Sequence, residues 1–464
     1  MIGIISFVTH SSHLNYGATL HGWAFQRYLK QRYCIDTIII KYVPKALIGE
    51  NFKYPFLNGW KNPFKQSSKW YVYIIKRFLQ WVNYAMQPFD NVDKWIKFQA
   101  FIDNHLSTTK QTYSYIDLQE TNSIEQIPFD MFICESDVIW KLNSIEDIDE
   151  NFFLSFPVAM NCKKIAYAPS IRKKTMEGDL AEKFRLLTND FIAISARDKS
   201  GSDYLSRFLN KNVPHVLDPT LLLNEEDYDS IIKLPSESNY LLIYTCSSDD
   251  TKMVKAAVKY AVDNNLKPIE ISNYAINRLM FNHKVSTSIG IEEWLGYMKK
   301  ASVIVCNSFH GICFSVLFKK DFFVFQRDNS DYRIPDLMKS LGIENRMIPF
   351  DSKVLPTEQE QINYEKVYFN LKSLRIQSDA FIMENIAMNV RNANKPQTTL
   401  ASEELSHISS SCATPTSAAM AGGGNCLIIK LLNVLKLSIV LHQTHINYEL
   451  SFFCRHNNQK DYRA

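Results

Sequence analysis

The chain has 464 residues, a formal net charge of +4 and 46% hydrophobic residues. That length holds two domains of ordinary size plus a further segment, and the apolar content fills real cores. So weak a basic balance gives no reason to expect a nucleic-acid partner.

Ile2 to Val8 reads as a buried strand, Thr9 to Gly17 as a polar loop, and Ala18 to Gln31 as a helix with Leu20, Ala24 and Tyr28 on one face. Ile35 to Ile40 is the next strand. Such a β-loop-α-β opening implies a parallel sheet with a right-handed crossover. The loop is not GxGxxG, so a dinucleotide fingerprint is absent. MIGIISFVTH lacks a basic n-region and is too short in apolar residues for a signal peptide.

Residues 51–89 contain no acidic residue, six Lys or Arg, and the aromatics Trp60, Trp70, Tyr71, Tyr73, Phe78, Trp81 and Tyr84. The first expectation is a helical excursion, inserted at about 44–125, whose aromatics pack on the first domain. The alternative is an amphipathic surface that meets anionic lipid or a lipid-linked substrate.

Strands follow at Met131 to Cys134, Lys164 to Ala168 and Phe191 to Ser195. Each runs into a polar loop: Glu135-Ser136-Asp137, Pro169-Ser170 and Ala196-Arg197-Asp198. A helix is expected from Ser200 to Leu209, capped by Ser200 or Ser202. Asp218-Pro219-Thr220 reads as a turn. Polar loops at successive strand ends are the pattern of a site along one sheet edge.

Residues 224–239 read as a linker, and Tyr240 to Thr245 opens a second sheet. A helix with the face Val254, Ala257, Val258, Ala261 and a strand at Pro268 to Ile271 come next. Ile291 to Lys299 is a helix. Val303 to Cys306 is a buried strand, Ile312 to Phe318 a helix and Asp321 to Phe325 another strand. The intervening Asn307-Ser308-Phe309-His310-Gly311 sets a hydroxyl, an imidazole and a glycine at a helix start. Unpaired N–H groups and the helix dipole favour anions there. Ile334 to Leu341 and 358–392 are helical, the latter packing back on the first domain. From Pro396 the composition is low-complexity and reads as disordered. Leu427 to Leu441 is too short and too charged to span a bilayer, and no run reaches about 18 apolar residues. Nine cysteines without a CxxC pair fit a reduced, cytosolic protein without a zinc site.

Several of these segments, in this order, resemble the polysaccharide pyruvyl transferase family over Ile2 to Arg346. They are Asn15-Tyr16-Gly17-Ala18-x-Leu20, Ser136-Asp137-x-x-Trp140, Lys164-Ile165-Ala166-Tyr167-Ala168, Ser195-Ala196-Arg197-Asp198-Lys199-Ser200-Gly201, Asp218-Pro219-Thr220-Leu221-Leu222 and Ser308-Phe309-His310-Gly311. The departures are Glu135 where Gly is usual, Asn307 where Asp is usual and Asp198 where Glu is usual. Some branches of the family carry Arg at the place of Ser308, and there it helps hold the donor.

The resemblance implies transfer of a pyruvyl group from phosphoenolpyruvate to two hydroxyls of a sugar in an exo-, capsular or cell-wall polysaccharide, lipid-linked or not. No cofactor is implied beyond that donor, the carboxylates are not clustered at metal-ligand spacing, and the basic, aromatic segment 51–89 gives a cytoplasmic protein peripheral contact at the inner membrane face as an expectation. The implied fold is α/β, with two Rossmann-like domains facing a cleft in the glycosyltransferase B manner. Their bounds are 1–225 and 226–350, followed by C-terminal helices at 351–395 and a tail at 396–464. His310 is then expected to donate the proton or to balance the leaving phosphate, and Asp137 is the expected base. Arg197 and Arg327 would grip donor anions, helped by Ser308, Phe309 and Gly311. Asn15 and Gly17 would line the acceptor side, and Ser136 is a further substrate-binding candidate. Plainer roles stand beside these: a cap for Asp137, a structural ion pair for Arg197, an Asx turn for Asn15, core for Trp140. Two other functions share the pattern: a sugar-nucleotide glycosyltransferase and a non-catalytic assembly component.

Overall fold

The structure, a computed structural model, describes residues 1–7, 14–48, 78, 82–83, 89–140, 142–171, 175–245, 250–327 and 332–393. The basic-aromatic excursion of 51–89, apart from 78, 82, 83 and 89, and the tail from 396 lie outside the described residues.

The first sheet is built from β1 (Ile2–Ser6), β2 (Thr37–Val43), β3 (Thr108–Ser114), β4 (Met131–Glu135), β5 (Lys163–Tyr167) and β6 (Phe191–Ile194). The second has β7 (Tyr240–Tyr244), β8 (Lys267–Ile271), β9 (Lys284–Ser286), β10 (Val303–Cys306), β11 (Asp321–Phe325) and β12 (Met347–Ile348). Their orders are β3-β2-β1-β4-β5-β6 and β12-β11-β10-β7-β8-β9, with every pairing parallel. Counted from its own first strand, the second sheet repeats the order of the first. Each is a doubly wound sheet whose order reverses beside its first strand, between β1 and β4 and between β7 and β10. Strands β1, β4, β7 and β10 are buried along their whole length. That is why they read as unbroken apolar runs: helices cover both faces of a parallel sheet.

Among the described residues the α-helices include α1 (Tyr16–Tyr33), α2 (Asp90–His105), α3 (Tyr115–Glu120), α4 (Gly178–Thr188), α5 (Lys199–Leu209), α6 (Thr251–Asp263), α7 (Asn277–Phe281), α8 (Ile291–Lys300), α9 (Phe309–Leu317), α10 (Arg333–Leu341), α11 (Tyr364–Ile382) and α12 (Met388–Ala393). α1 begins two residues before the expected Ala18, because Asn15 Oδ1 accepts from Ala18 N at 3.3 Å and caps it. Two expectations need correction. Residues 108–114 belong to no insert; they pair with β2 as the edge of the first sheet. Neither Ser200 nor Ser202 caps α5. Asp336 of α10 takes Ser200 N at 2.7 Å and its hydroxyl at 2.9 Å, so the cap comes from the other domain. The short strand β9 was not foreseen. Trp140 is core, fully buried and stacked on Phe153.

The two domains are joined by packing as well as by chain. Tyr16 stacks on Trp294 with ring centroids 5.2 Å apart, and its hydroxyl donates to Ile289 O at 2.8 Å. Trp294 also meets Tyr244 and Phe314 edge-on. α11 returns to the first domain as expected: Asp379 accepts from Tyr28 and Tyr33, Arg375 donates to Leu221 O, and Ser378 Oγ accepts from Leu217 N at 2.8 Å. Among the described residues no helix is long and apolar enough to cross a membrane. Trp294→Ala is expected to cost about 3–5 kcal/mol in denaturant unfolding, the usual range for emptying a large aromatic site.

Candidate active site

The site forms where the order of the first sheet reverses. β1 ends in Ser6 and β4 in Glu135. Ser136 and Asp137 then take left-handed backbone, φ 44° and 61°, without being glycine. Two hydrogen bonds hold this costly turn, Ser136 N to Tyr167 O and Ser170 N to Asp137 O, both 2.8 Å. They aim the Asp137 carboxyl across the carboxyl edge of the sheet. From the second domain, β10 delivers Ser308, whose hydroxyl accepts from Gly311 N at 3.3 Å and caps α9. His310 stands in the first turn of that helix and is therefore no cap.

Asp218 is fully buried and central. Its Oδ2 accepts from Arg197 Nη1 at 2.9 Å and Ser136 Oγ at 3.2 Å, and faces His310 Nε2 at 3.4 Å. Its Oδ1 accepts from Thr220 N at 3.0 Å and Thr220 Oγ1 at 2.7 Å. Arg197 is 3% exposed. Its Nε donates to Ser170 Oγ at 2.9 Å, its Nη2 reaches Asp137 Oδ1 at 3.5 Å, and its plane lies 4.3 Å from the Phe309 ring centroid. Asp137 keeps 16% of its side chain open, so the carboxylate faces the cleft. Below it, His21 Nδ1 sits 2.9 and 3.0 Å from the two oxygens of Glu135, whose Oε2 also accepts from Ser6 Oγ at 2.6 Å.

Charge follows geometry. Burial alone would raise the Asp137 carboxyl, but Arg197, then His21, His310 and Arg333, outweigh it and hold the group well below the usual carboxylate range. Asp218 is likewise held down against burial, by His310 first and then Arg197 and His21. Burial would strip Arg197 of its proton; Asp137 and Asp218 fix it as a cation instead. Asp198 goes the other way. Its burial exceeds the pull of Arg197, the Ser170 hydroxyl and Arg333, and pushes it up to about 6.

A family model described as polysaccharide pyruvyl transferase matches residues 15–329, from the cap of α1 to just past β11. The chain belongs to the polysaccharide pyruvyl transferase family. Search of curated protein sequences finds no significant match. Among solved structures the chain is similar to Arabidopsis thaliana UGT89C1 complexed with UDP-L-rhamnose, at 10% identity and a TM-score of 0.41, covering 84% of this chain and 97% of that one. It is also similar to MnaA of S. aureus in a structure with UDP, at 10% identity and a TM-score of 0.40, covering 84% and 96%.

In this pyruvyl transferase family member, Asp137, Ser136, Arg197, Phe309, His310 and Gly17 come together. A Cβ on Gly17 would lie 1.9 Å from His310 Nδ1, so the glycine is what lets α1 approach that ring. Asn15 and Ser308 spend their side chains as helix caps. At Gly311 a Cβ would fall 2.7 Å from Cys306 Sγ, so its smallness serves strand-to-helix packing. Arg327 lies two residues past β11, half-buried, and is not part of the Asp218–Arg197–Asp137 ion-pair cluster. Asp218 forms the expected turn, yet it is also the hub of the site. Sequence reasoning missed His21, Ser170 and Arg333. The one signal was the unusual acid at Glu135, which needed a buried partner.

Two predictions follow from this packing. Gly17→Ala should displace the His310 ring and lower kcat by about 10²-fold, while overpacking costs only about 1–3 kcal/mol of stability in denaturant titration. Asp198 has a folded-state value above its unfolded one, so the folded protein holds that proton longer. Stability should therefore fall as pH rises from about 4 to about 6, by about 3 kcal/mol in total. Asp198→Asn should unfold later than wild type at pH 7.5, and the difference should vanish near pH 4.

Proposed function

We propose that this transferase moves the pyruvyl group of phosphoenolpyruvate onto two hydroxyls of one sugar, giving a cyclic ketal and inorganic phosphate. The observation that supports it best is the meeting of Asp137, held ionised and open to the cleft, with His310 from the other domain, both oriented by the buried Asp218–Arg197 pair.

In the proposed reaction a sugar hydroxyl adds to the donor's double bond. The new O–C bond forms at the carbon bearing the phosphate as His310 gives a proton to the methylene carbon. Asp137 takes the hydroxyl proton. The second hydroxyl then bonds to the same carbon, the C–O bond to phosphate breaks, and the second hydroxyl proton leaves with the phosphate. Each acid–base role contributes about 10²–10⁴-fold in rate. An ionised Asp137 is a weak base while the charges of Arg197 and Arg333 act on it. The donor's anionic groups draw on Arg333, so proton affinity at Asp137 rises as the donor enters. Arg333, half-buried at the start of α10, and the first turn of α9 are the donor contacts; Arg197 reaches the donor only through Asp137. Gly17 and Ser136 line the acceptor side. A lipid-linked acceptor at the inner membrane face fits the basic, aromatic composition of 51–89.

Thermal unfolding tests the donor. Phosphoenolpyruvate at about 100-fold over its Kd should stabilise the protein by about 2.7 kcal/mol. Asp137→Asn should keep that shift and lose phosphate release, whereas His310→Ala should lose release and weaken the shift. Stabilisation by a nucleoside diphosphate and none by phosphoenolpyruvate would assign the cleft to glycosyl transfer.

A further inference from the structure

Beneath Asp137 lies a chain of buried groups that this scheme leaves unused. Ser6 Oγ donates to Glu135, and Glu135 brackets His21 Nδ1 with both oxygens. The side chains of His21 and Glu135 are completely shielded from solvent. His21 Nε2 is buried with no hydrogen-bond partner, and Asp137 Oδ2 stands 3.9 Å from it. The His21 ring also stacks on His310, centroids 5.8 Å apart and planes 24° from parallel. One side chain of α1 thus touches both groups given chemical roles above. If His21 served only to satisfy Glu135, Nδ1 alone would be needed. That role does not account for the second nitrogen facing Asp137 or for the ring face on His310.

We propose that His21 is a positioning residue for pyruvyl transfer, a fixed cation clamped by Glu135 beneath Asp137 and His310, and that turnover needs it charged. The inference rests on the donor reading of the previous subsection. Burial would strip the proton from His21, but Glu135, then Asp218 and Asp137, hold it on above the ordinary imidazole range. The cation keeps Asp137 ionised until a hydroxyl proton arrives. The face of the His310 ring lies against that of His21. The groups facing this pair are Glu135 at the end of β4, Asp137 after it, Asp218 before its turn, and Arg197 and Arg333 across Asp137.

The sign is fixed by the raised titration of His21. Its charge is present at lower pH and lost as pH rises through the raised value, so the dependence belongs to the alkaline limb. The test is the pH profile of kcat and of kcat/KM for phosphoenolpyruvate in wild type, Glu135→Gln and the double variant His21→Gln with Glu135→Gln, beside ¹⁵N imidazole spectra. Glu135→Gln should move the alkaline limb down by about one pH unit. The double variant strands no buried charge, so it should stay folded, and its alkaline limb should lose one titrating proton. Profiles that only scale down without moving, or a neutral His21 in wild-type spectra at pH 7, would overturn the inference. A wild type that cannot turn over phosphoenolpyruvate would instead remove the donor reading, and the spectra would still decide whether the buried cation exists.

Discussion

The Asp218 carboxylate is sealed between the two domains and accepts from Arg197, Ser136 and Thr220 while facing His310. An ionised carboxylate in so dry a place stays only if charge and hydrogen bonds surround it. Here both conditions are met by groups of the site itself. Arg197 is aimed by Asp218 and in turn aims Asp137. His310, on the opposite domain, closes the set. The orientation of each group therefore depends on the others, and a single buried acid is common to all of them.

This dependence explains why the domains are so thoroughly joined. A hub shared across a cleft cannot tolerate much sliding between its halves. The Tyr16–Trp294 stack, the cap that Asp336 gives to α5 and the return of α11 each fix one domain against the other. They surround the site on different sides. Strain in the Ser136-Asp137 turn is sustained within that frame, as strained backbone at functional sites usually is.

Much of the architecture was legible because parallel strands buried on both faces must be continuous apolar runs. Val303–Cys306 and Asp321–Phe325 fall where their β-branched and aromatic residues put them. The polar loops at strand ends pointed to the sheet edge where Asp137, Arg197 and His310 come together. What stayed hidden was pairing over long separations. Glu135 and His21 are 114 positions apart, and each alone looks like a misplaced polar residue in an apolar element. Asp218-Pro219-Thr220 looks like a turn because it is one. Nothing local says that the same carboxylate also receives an arginine from another loop. Arg197 reads as an open anion clamp until its three nitrogens are seen to be shared among Ser170, Asp218 and Asp137.

The return of α11 has a consequence for the order in which the chain is made. Ser378 takes the Leu217 amide, one residue from the hub, and Arg375 holds the carbonyl of Leu221 just past it. The first sheet has all its strands once residue 194 has emerged, and the second once residue 348 has. The turn carrying Asp218 nevertheless waits for a helix synthesised some 160 residues after it. A nascent chain can thus hold every strand of both sheets while the backbone on either side of Asp218 still lacks its final partners, which come with one of the last described elements to leave the ribosome.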